Sequence, residues 1–346
     1  MATSTVRTII EEDVLREEFV PPELVARGSQ CSIVEGCLEP ARSGRKPMHV
    51  WLHGSSGAGK TAVATSVLTR LREEAGVQFV SVNCWEKDTL YEILDQIITD
   101  LRVFRAEEHR TSVKLERLQR QLQGRCLLIL LDEVDKIAPV ERAKVLYSLD
   151  ALGNTGLVCI SADLASLFDV EERVRSRINP RTIHFTSYRA EDITAILTSR
   201  AQQALALDAC PAFLLKRIAA VCNGDARVAI KTLRNAAEAT DRAGHARIGP
   251  KDLAAGWNDS QRIKADQVLT RLTEDHKMLH QIVAEQKEML STALWDVYLE
   301  KCSQCNRKPL APRTFSAYVA QLVRLGLFSC ERARVKGNVR MLRPVR

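Results

Sequence analysis

Residues 48–62 read Met48-His49-Val50-Trp51-Leu52-His53-Gly54-Ser55-Ser56-Gly57-Ala58-Gly59-Lys60-Thr61-Ala62. Met48 to Leu52 is a short apolar run of strand type, and Ala62 to Leu71 has the spacing of a helix. Between them, Gly54 to Thr61 fits Gly-x-x-x-x-Gly-Lys-Ser/Thr, directly after a strand and directly before a helix. Each position has a chemical reason. The glycines let the backbone of Gly54, Ser55, Ser56, Gly57, Ala58 and Gly59 curl so that its N–H groups face phosphate oxygens. A helix starting near Lys60 adds the positive end of its dipole. Lys60 is expected to reach the terminal phosphates, and the Thr61 hydroxyl to ligate Mg²⁺.

Such a site needs carboxylates at the end of a second strand. Leu127-Leu128-Ile129-Leu130-Leu131-Asp132-Glu133 supplies five apolar residues and then two acids. In α/β sheets ligands sit at that strand end. Asp132 is expected to hold the metal, directly or through water, and Glu133 to orient and polarise an attacking water. The cofactors implied are ATP or ADP with Mg²⁺.

Outward from these two stretches, Phe79 to Val82, Leu157 to Ile160 and Thr182 to Phe185 also read as buried strands, with helical spacing between them. Alternation of this kind predicts an α/β fold with a parallel sheet covered on both faces. From about Glu191 to Ala255 the strands stop, and Ile193, Ile196, Leu197, Leu214, Ile218 and Val221 space as amphipathic helices. The expected domains are therefore a nucleotide-binding domain over 1–188, a helical domain over 189–260 and a third over 261–346.

The composition of the 346 residues, 45% hydrophobic and 27% charged, is that of a globular protein. The longest apolar run, Cys126 to Leu131, is far short of the roughly 20 residues of a membrane helix. Met1 to Phe19 is charged throughout and does not resemble a signal peptide, so no membrane partner is expected. The ten cysteines show no framework spacing; Cys302 and Cys305 have C-x-x-C spacing without a second pair, which argues against zinc. The net charge of +7 is unevenly placed. Lys301 to Arg346 holds eleven Lys or Arg against the single acid Glu331, whereas the first 300 residues hold 39 basic and 42 acidic groups. Charge concentrated in this way suits a polyanion.

Asp132-Glu133-Val134-Asp135 with the later Gly224-Asp225-Ala226-Arg227 resembles an AAA+ ATPase of the initiator clade, in particular the archaeal-type origin-recognition and cell-division-cycle initiators. Val20-Pro21 with Arg27, Val82-Asn83-Cys84 with Thr89 and Tyr91, Arg173-Val174-Arg175-Ser176-Arg177, Phe185 to Tyr188, and the C-terminal Tyr298, Pro309-Leu310 and Gly326-Leu327 fit as well. The resemblance runs from about residue 18 to the end. It implies an AAA+ P-loop domain, a helical lid and a C-terminal winged helix. Ala62 and Tyr188 join the nucleotide-binding set, Arg227 acts as the lid's γ-phosphate sensor, and Arg173 or Arg177 is the finger reaching a neighbouring subunit's nucleotide. One departure stands out. Ser161-Ala162-Asp163 falls where the family carries a polar residue, commonly Asn, with Ala162 at that position, so Ser161 or Asp163 has to substitute or hydrolysis is slow.

Residues from about 265 resemble the winged helix of the same family. Leu279, Ile282 and Val283 form one apolar helix face, and Leu294, Val297 and Tyr298 a second. Pro312 to Leu325 reads as the third helix, with Pro312 just inside its start. Phe315, Val319, Leu322 and Val323 would face the core, leaving Arg313, Thr314, Ser316, Tyr318 and Gln321 for a duplex. Gly337-Asn338 signals a hairpin whose Arg334, Lys336 and Arg340 are expected to contact phosphates or the minor groove. The function implied is a replication initiator that binds duplex DNA and helps recruit or load a replicative helicase, with self-association through the finger. The implied setting is cytoplasmic and nucleoid-associated, or nuclear in a eukaryote. The competing readings are an ATP-switched DNA-binding regulator with little hydrolysis, and another helper ATPase such as a clamp loader or transposition ATPase.

Overall fold

In the computed structural model the described residues are 7–103, 110–122, 125–270, 272–305, 307–325, 327–332 and 340–344. They form two compact units, Ile9–Ile230 and a second made of Lys231–Arg346 with the N-terminal residues to Thr8.

The first unit runs α1 (Gly28–Leu38), β1 (Val50–Gly54), α2 (Lys60–Ala75), β2 (Gln78–Asn83), α3 (Leu90–Asp100), α4 (Thr111–Leu122), β3 (Leu127–Asp132), α5 (Pro139–Asp150), β4 (Thr155–Ser161), α6 (Ala165–Phe168), α7 (Glu172–Ile178), β5 (Arg181–Phe185), α8 (Ala190–Ala204) and α9 (Ala212–Val221). α10 (Ala226–Arg242) begins within it. The five strands form one parallel sheet in the order β2-β3-β4-β1-β5. A parallel strand is buried on both faces, which is why β3 is a continuous apolar run. Leu127, Ile129 and Leu131 pack on one side with Ile93, Leu118 and Leu146, while Leu128 and Leu130 pack on the other with Val34, Val67 and Leu71. The strand ends differ from the sequence reading by up to two residues, because ladder pairing carries β1 past Leu52 to Gly54 and β4 on to Ser161.

In the second unit, α11 (Pro250–Thr270) is one unbroken helix, followed by α12 (Glu274–Gln286), β6 (Met289–Leu290), α13 (Ser291–Gln304), α14 (Pro312–Arg324), β7 (Phe328–Arg332) and β8 (Arg340–Pro344). The strands form an antiparallel sheet ordered β6-β8-β7. β6, only two residues long, has no periodicity that a sequence reading can detect. The core comprises Leu279, Ile282, Leu294, Tyr298, Phe315, Leu322, Phe328 and Leu342. Tyr298 is fully buried, and its hydroxyl donates to Asp275 Oδ1 (2.9 Å) and accepts from the Leu310 N–H (3.2 Å). A buried phenol so paired adds area without an unsatisfied group. Among the described residues no helix is long and apolar enough to cross a membrane.

Candidate functional site

The C-terminal edge of the parallel sheet gathers the ends of β1 at Gly54, β3 at Asp132 and β4 at Ser161. Because β4 lies between β1 and β3, the residue that follows it, Ala162, stands between the P-loop and the Asp132–Glu133 pair.

The loop between β1 and α2 is wound tightly. Gly57 (φ 70°) and Gly59 (φ 87°) adopt left-handed backbone, and a Cβ on either would collide with the Asp225 carboxylate or the Tyr188 hydroxyl respectively. Only glycine fits both demands. The Lys60 ammonium donates to the Gly54 and Ser55 carbonyls at 2.5 and 2.8 Å, folded over the loop it serves. Burial, with the nearby Arg227 cation, pushes its pKa below the usual lysine value. Thr61 Oγ1 donates to Asp132 Oδ2 at 2.8 Å, and the other Asp132 oxygen accepts the Glu133 N–H at 2.9 Å. Glu133 itself adopts a left-handed conformation (φ 56°, ψ 41°), uncommon for a residue with a side chain. Among the described residues no hydrogen bond or ion pair occupies its carboxylate. At the adjacent end of β1, His53 stacks on His184 (centroids 5.0 Å apart), and burial with those neighbours lowers its pKa, so it is neutral at pH 7.

A cavity of about 410 Å³ adjoins the loop. Gly57 to Ala62, Tyr188 and Arg227 line its polar side, and Val20, Pro21, Leu24, Ile196 and Ile230 its apolar side. Left-handed glycines, a lysine, a hydroxyl beside a carboxylate and an apolar wall match triphosphate, hard divalent cation and base in turn.

The segment Gly224 to Arg227 touches the P-loop directly. The Ala226 N–H donates to the Gly57 carbonyl (3.3 Å), and Asp225 Oδ1 caps α10 by accepting the N–H groups of Arg227 (3.0 Å) and Val228 (3.2 Å). Arg227 is exposed and lines the cavity.

Two buried arginines that periodicity alone does not assign to the site complete it. Arg27, 4% exposed, donates to the carbonyls of Ala58 (2.9 Å) and Thr186 (2.6 Å) and lies over the Tyr188 ring at 4.0 Å. It ties the P-loop to the strand end of β5. Arg200 on α8 donates to the Val14, Arg16 and Phe19 carbonyls, so it holds the segment that continues into the apolar wall. Burial lowers its pKa to about 10, which leaves it charged at neutral pH.

The two finger candidates part company. Arg177 donates to Asp150 Oδ2 at 2.6 Å and lies 4.5 Å from the Tyr147 ring centroid. Asp150 is buried; burial alone would raise its pKa, but Lys46, Arg177 and His49 together hold it down at about 2. Arg173 is exposed on an open groove beside Val140, Tyr147 and Asp169, with no hydrogen bond or ion pair among the described residues. At the tip of β4, Ser161 accepts from Trp51 Nε1 (2.9 Å) and donates to the Asp163 carbonyl, while the Asp163 carboxylate caps α6 through the Ser166 N–H (3.2 Å). Both polar neighbours of Ala162 are therefore engaged in local structure.

On α14, Arg313 and Ser316 are exposed, and Thr314 and Gln321 are half-buried. Tyr318 stacks on His276 of α12 at 3.8 Å, so its ring serves packing. Arg340 is exposed at the start of β8, its N–H donating to Ser291 Oγ (3.3 Å). Arg334, Lys336 and the Gly337-Asn338 turn lie outside the described residues.

Known proteins share this architecture. The AAA domain family matches residues 44–162 and the Cdc6 AAA+ ATPase-type lid domain family matches residues 194–258. The solved structure of the Aeropyrum pernix ORC1 protein in complex with DNA superposes with a TM-score of 0.79 at 25% identity, covering 97% of this chain and 94% of that one. The ORC1-type DNA replication protein of Pyrococcus furiosus is 28% identical over 350 residues, 92% of this chain and 82% of its own length. ORC1-type DNA replication protein 9 of Halobacterium salinarum is 30% identical over 325 residues, 92% of this chain and 89% of the relative. With a P-loop, a Cdc6-type lid and such identity along nearly its whole length, the chain belongs to the ORC1-type DNA replication proteins.

Proposed function

We propose that this chain is an ATP-dependent replication initiator. It holds ATP and Mg²⁺ on the P-loop, engages duplex DNA through a winged helix made of α12 to α14 with β6 to β8, and helps recruit or load a replicative helicase. The observation that carries the nucleotide half is the 2.8 Å hydrogen bond between Thr61 and Asp132, which brings the two metal-ligating groups together beside Lys60. Helicase recruitment rests on family membership alone. A cytoplasmic setting beside the nucleoid fits the same reading.

Each residue has a task. Lys60 offsets charge on the terminal phosphates, and Thr61 with Asp132 supplies hard oxygen ligands to the cation. Mg²⁺, when bound, neutralises charge that builds on the transferred and leaving oxygens. Glu133 orients a water and polarises its O–H bond. Arg227 couples the presence of a γ-phosphate to the position of α10, and Arg173 serves as the finger toward a neighbouring copy's nucleotide. Duplex affinity of the full chain, measured with ATP and with ADP across a salt series, tests the whole. The log–log slope should be about −0.9 per phosphate neutralised, with affinity dependent on the nucleotide. A flat salt response would remove DNA from the reading.

A second reading, an ATP-held switch with slow turnover, is favoured by the tip of β4. Ala162 has no side-chain amide, and Ser161 and Asp163 are bonded elsewhere. Ala162→Asn should then raise the turnover number; unchanged turnover would remove the missing amide as the cause of slowness.

A further inference from the structure

Arg142, in the first turn of α5, is 3% exposed and makes no ion pair among the described residues. Its guanidinium is instead surrounded by backbone carbonyls. Nε donates to Val134 O (3.0 Å), one terminal nitrogen to Ser166 O (2.6 Å), and the other to Asp135 O (3.1 Å) and Ile137 O (2.7 Å). Burial pushes its pKa down, opposed by the more distant Asp135, Asp163 and Asp169 carboxylates. A charge buried without a counter-ion is costly and persists where several polar groups converge on it.

The acceptors belong to two different turns. Val134, Asp135 and Ile137 form the turn that leaves β3 directly after Glu133. Ser166 lies in α6, beyond the tip of β4. Asp135 closes the same bracket from the other side, its Oδ1 accepting the Ala162 N–H at 3.4 Å. Glu133, in its left-handed conformation, is the residue immediately ahead of this bracketed turn.

We propose that Arg142 is a positioning residue for ATP hydrolysis, fixing the turn after β3 against the tip of β4 and thereby the aim of the Glu133 carboxylate. This rests on the reading of Glu133 as the group that polarises water. Lysine cannot replace Arg142, because one ammonium cannot span four acceptors spread around a planar fork.

The experiment measures ATP affinity and turnover separately in the full chain for wild type, Arg142→Lys, Arg142→Met and Glu133→Gln, with thermal melting of each. Affinity should change by no more than about twofold, while turnover of both Arg142 variants falls on the order of 100-fold, as expected for a reacting group displaced by about 1 Å. Glu133→Gln separates the two claims. If it abolishes turnover and Arg142→Lys leaves turnover intact, Arg142 has no positioning role. If Glu133→Gln leaves turnover intact, the reading beneath the proposal fails and the proposal with it. Should Arg142→Met not fold, Asp135→Ala removes the opposite side of the bracket and must lower turnover while sparing affinity. A joint fall of affinity, turnover and melting temperature in both Arg142→Lys and Asp135→Ala would overturn the proposal, leaving Arg142 a folding residue only.

Discussion

Three buried arginines of the first unit and two exposed arginines of the C-terminal unit are used in opposite ways. Arg27, Arg142 and Arg200 are buried, and each is bonded to backbone carbonyls. Arg313 and Arg340 stand in solvent. The first three are instruments of shape: the planar fork fixes a loop that has no regular hydrogen bonding of its own. Under the proposed function the last two meet an external anion. A tally of positive charge cannot separate these uses, since both contribute +1 per residue, yet one set builds a site and the other presents a surface.

The contrast can be broken in several places. The largest effect is expected at Glu133, since removing a group that polarises water costs on the order of 100-fold or more in rate. Glu133→Gln should abolish turnover and leave ATP affinity and duplex binding near wild type; undiminished turnover would take the hydrolytic role from the first unit. Next is Arg200→Met. Loss of its bonds to the Arg16 and Phe19 carbonyls frees the cavity's apolar wall and should weaken nucleotide affinity about tenfold, equivalent to one charged hydrogen bond, in a direct titration. Unchanged affinity would mean that the wall is held by packing alone.

Arg313→Ala addresses the other side of the contrast. Duplex binding should weaken and its salt slope become shallower by about 0.9, with nucleotide affinity unaltered. An unchanged slope would show that the exposed face of α14 does not meet phosphate.

The smallest effect concerns Asp150. Its folded pKa of about 2 lies below the ordinary 3.8, so its bonds to Lys46, His49 and Arg177 stabilise the fold above about pH 4 and fade as pH falls towards 2. Two of those partners are nearly half exposed, and the stabilisation is about 1 kcal/mol after solvent screening. Chemical denaturation should show Asp150→Asn less stable than wild type at pH 7, with the gap narrowing at pH 3. A gap independent of pH would mean that the variant loses packing and not charge.

The sequence disclosed the parts of the site that are contiguous along the chain. Gly54 to Thr61 carries its own fold because the glycines, the lysine and the helix start are neighbours, and the run ending at Asp132 declares a doubly buried strand. The clamps were not legible in this way, since Arg27 meets Ala58 and Arg200 meets Phe19 only after the chain has folded back. A faint signal does exist. Arg200 follows Ile193, Ile196 and Leu197 on the apolar stripe of α8, and Arg142 precedes Val145, Leu146 and Leu149 on that of α5. A permanent cation at an inward position asks what satisfies it. The difference in environment between Arg173 and Arg177 is closed to spacing arguments because Arg177 is held by Asp150, 27 residues earlier.

The order of strands also has a consequence for how the molecule comes into being. β1 pairs with β4 through Val50 and Val158, and with β5 through Val50 and Arg181, so the P-loop strand waits for partners synthesised more than a hundred residues later. Pairings so remote in sequence are slow to form and leave apolar strand surface exposed in the meantime. A nascent chain halted before β4 would hold the whole phosphate loop in sequence but neither ladder partner of the strand that carries it.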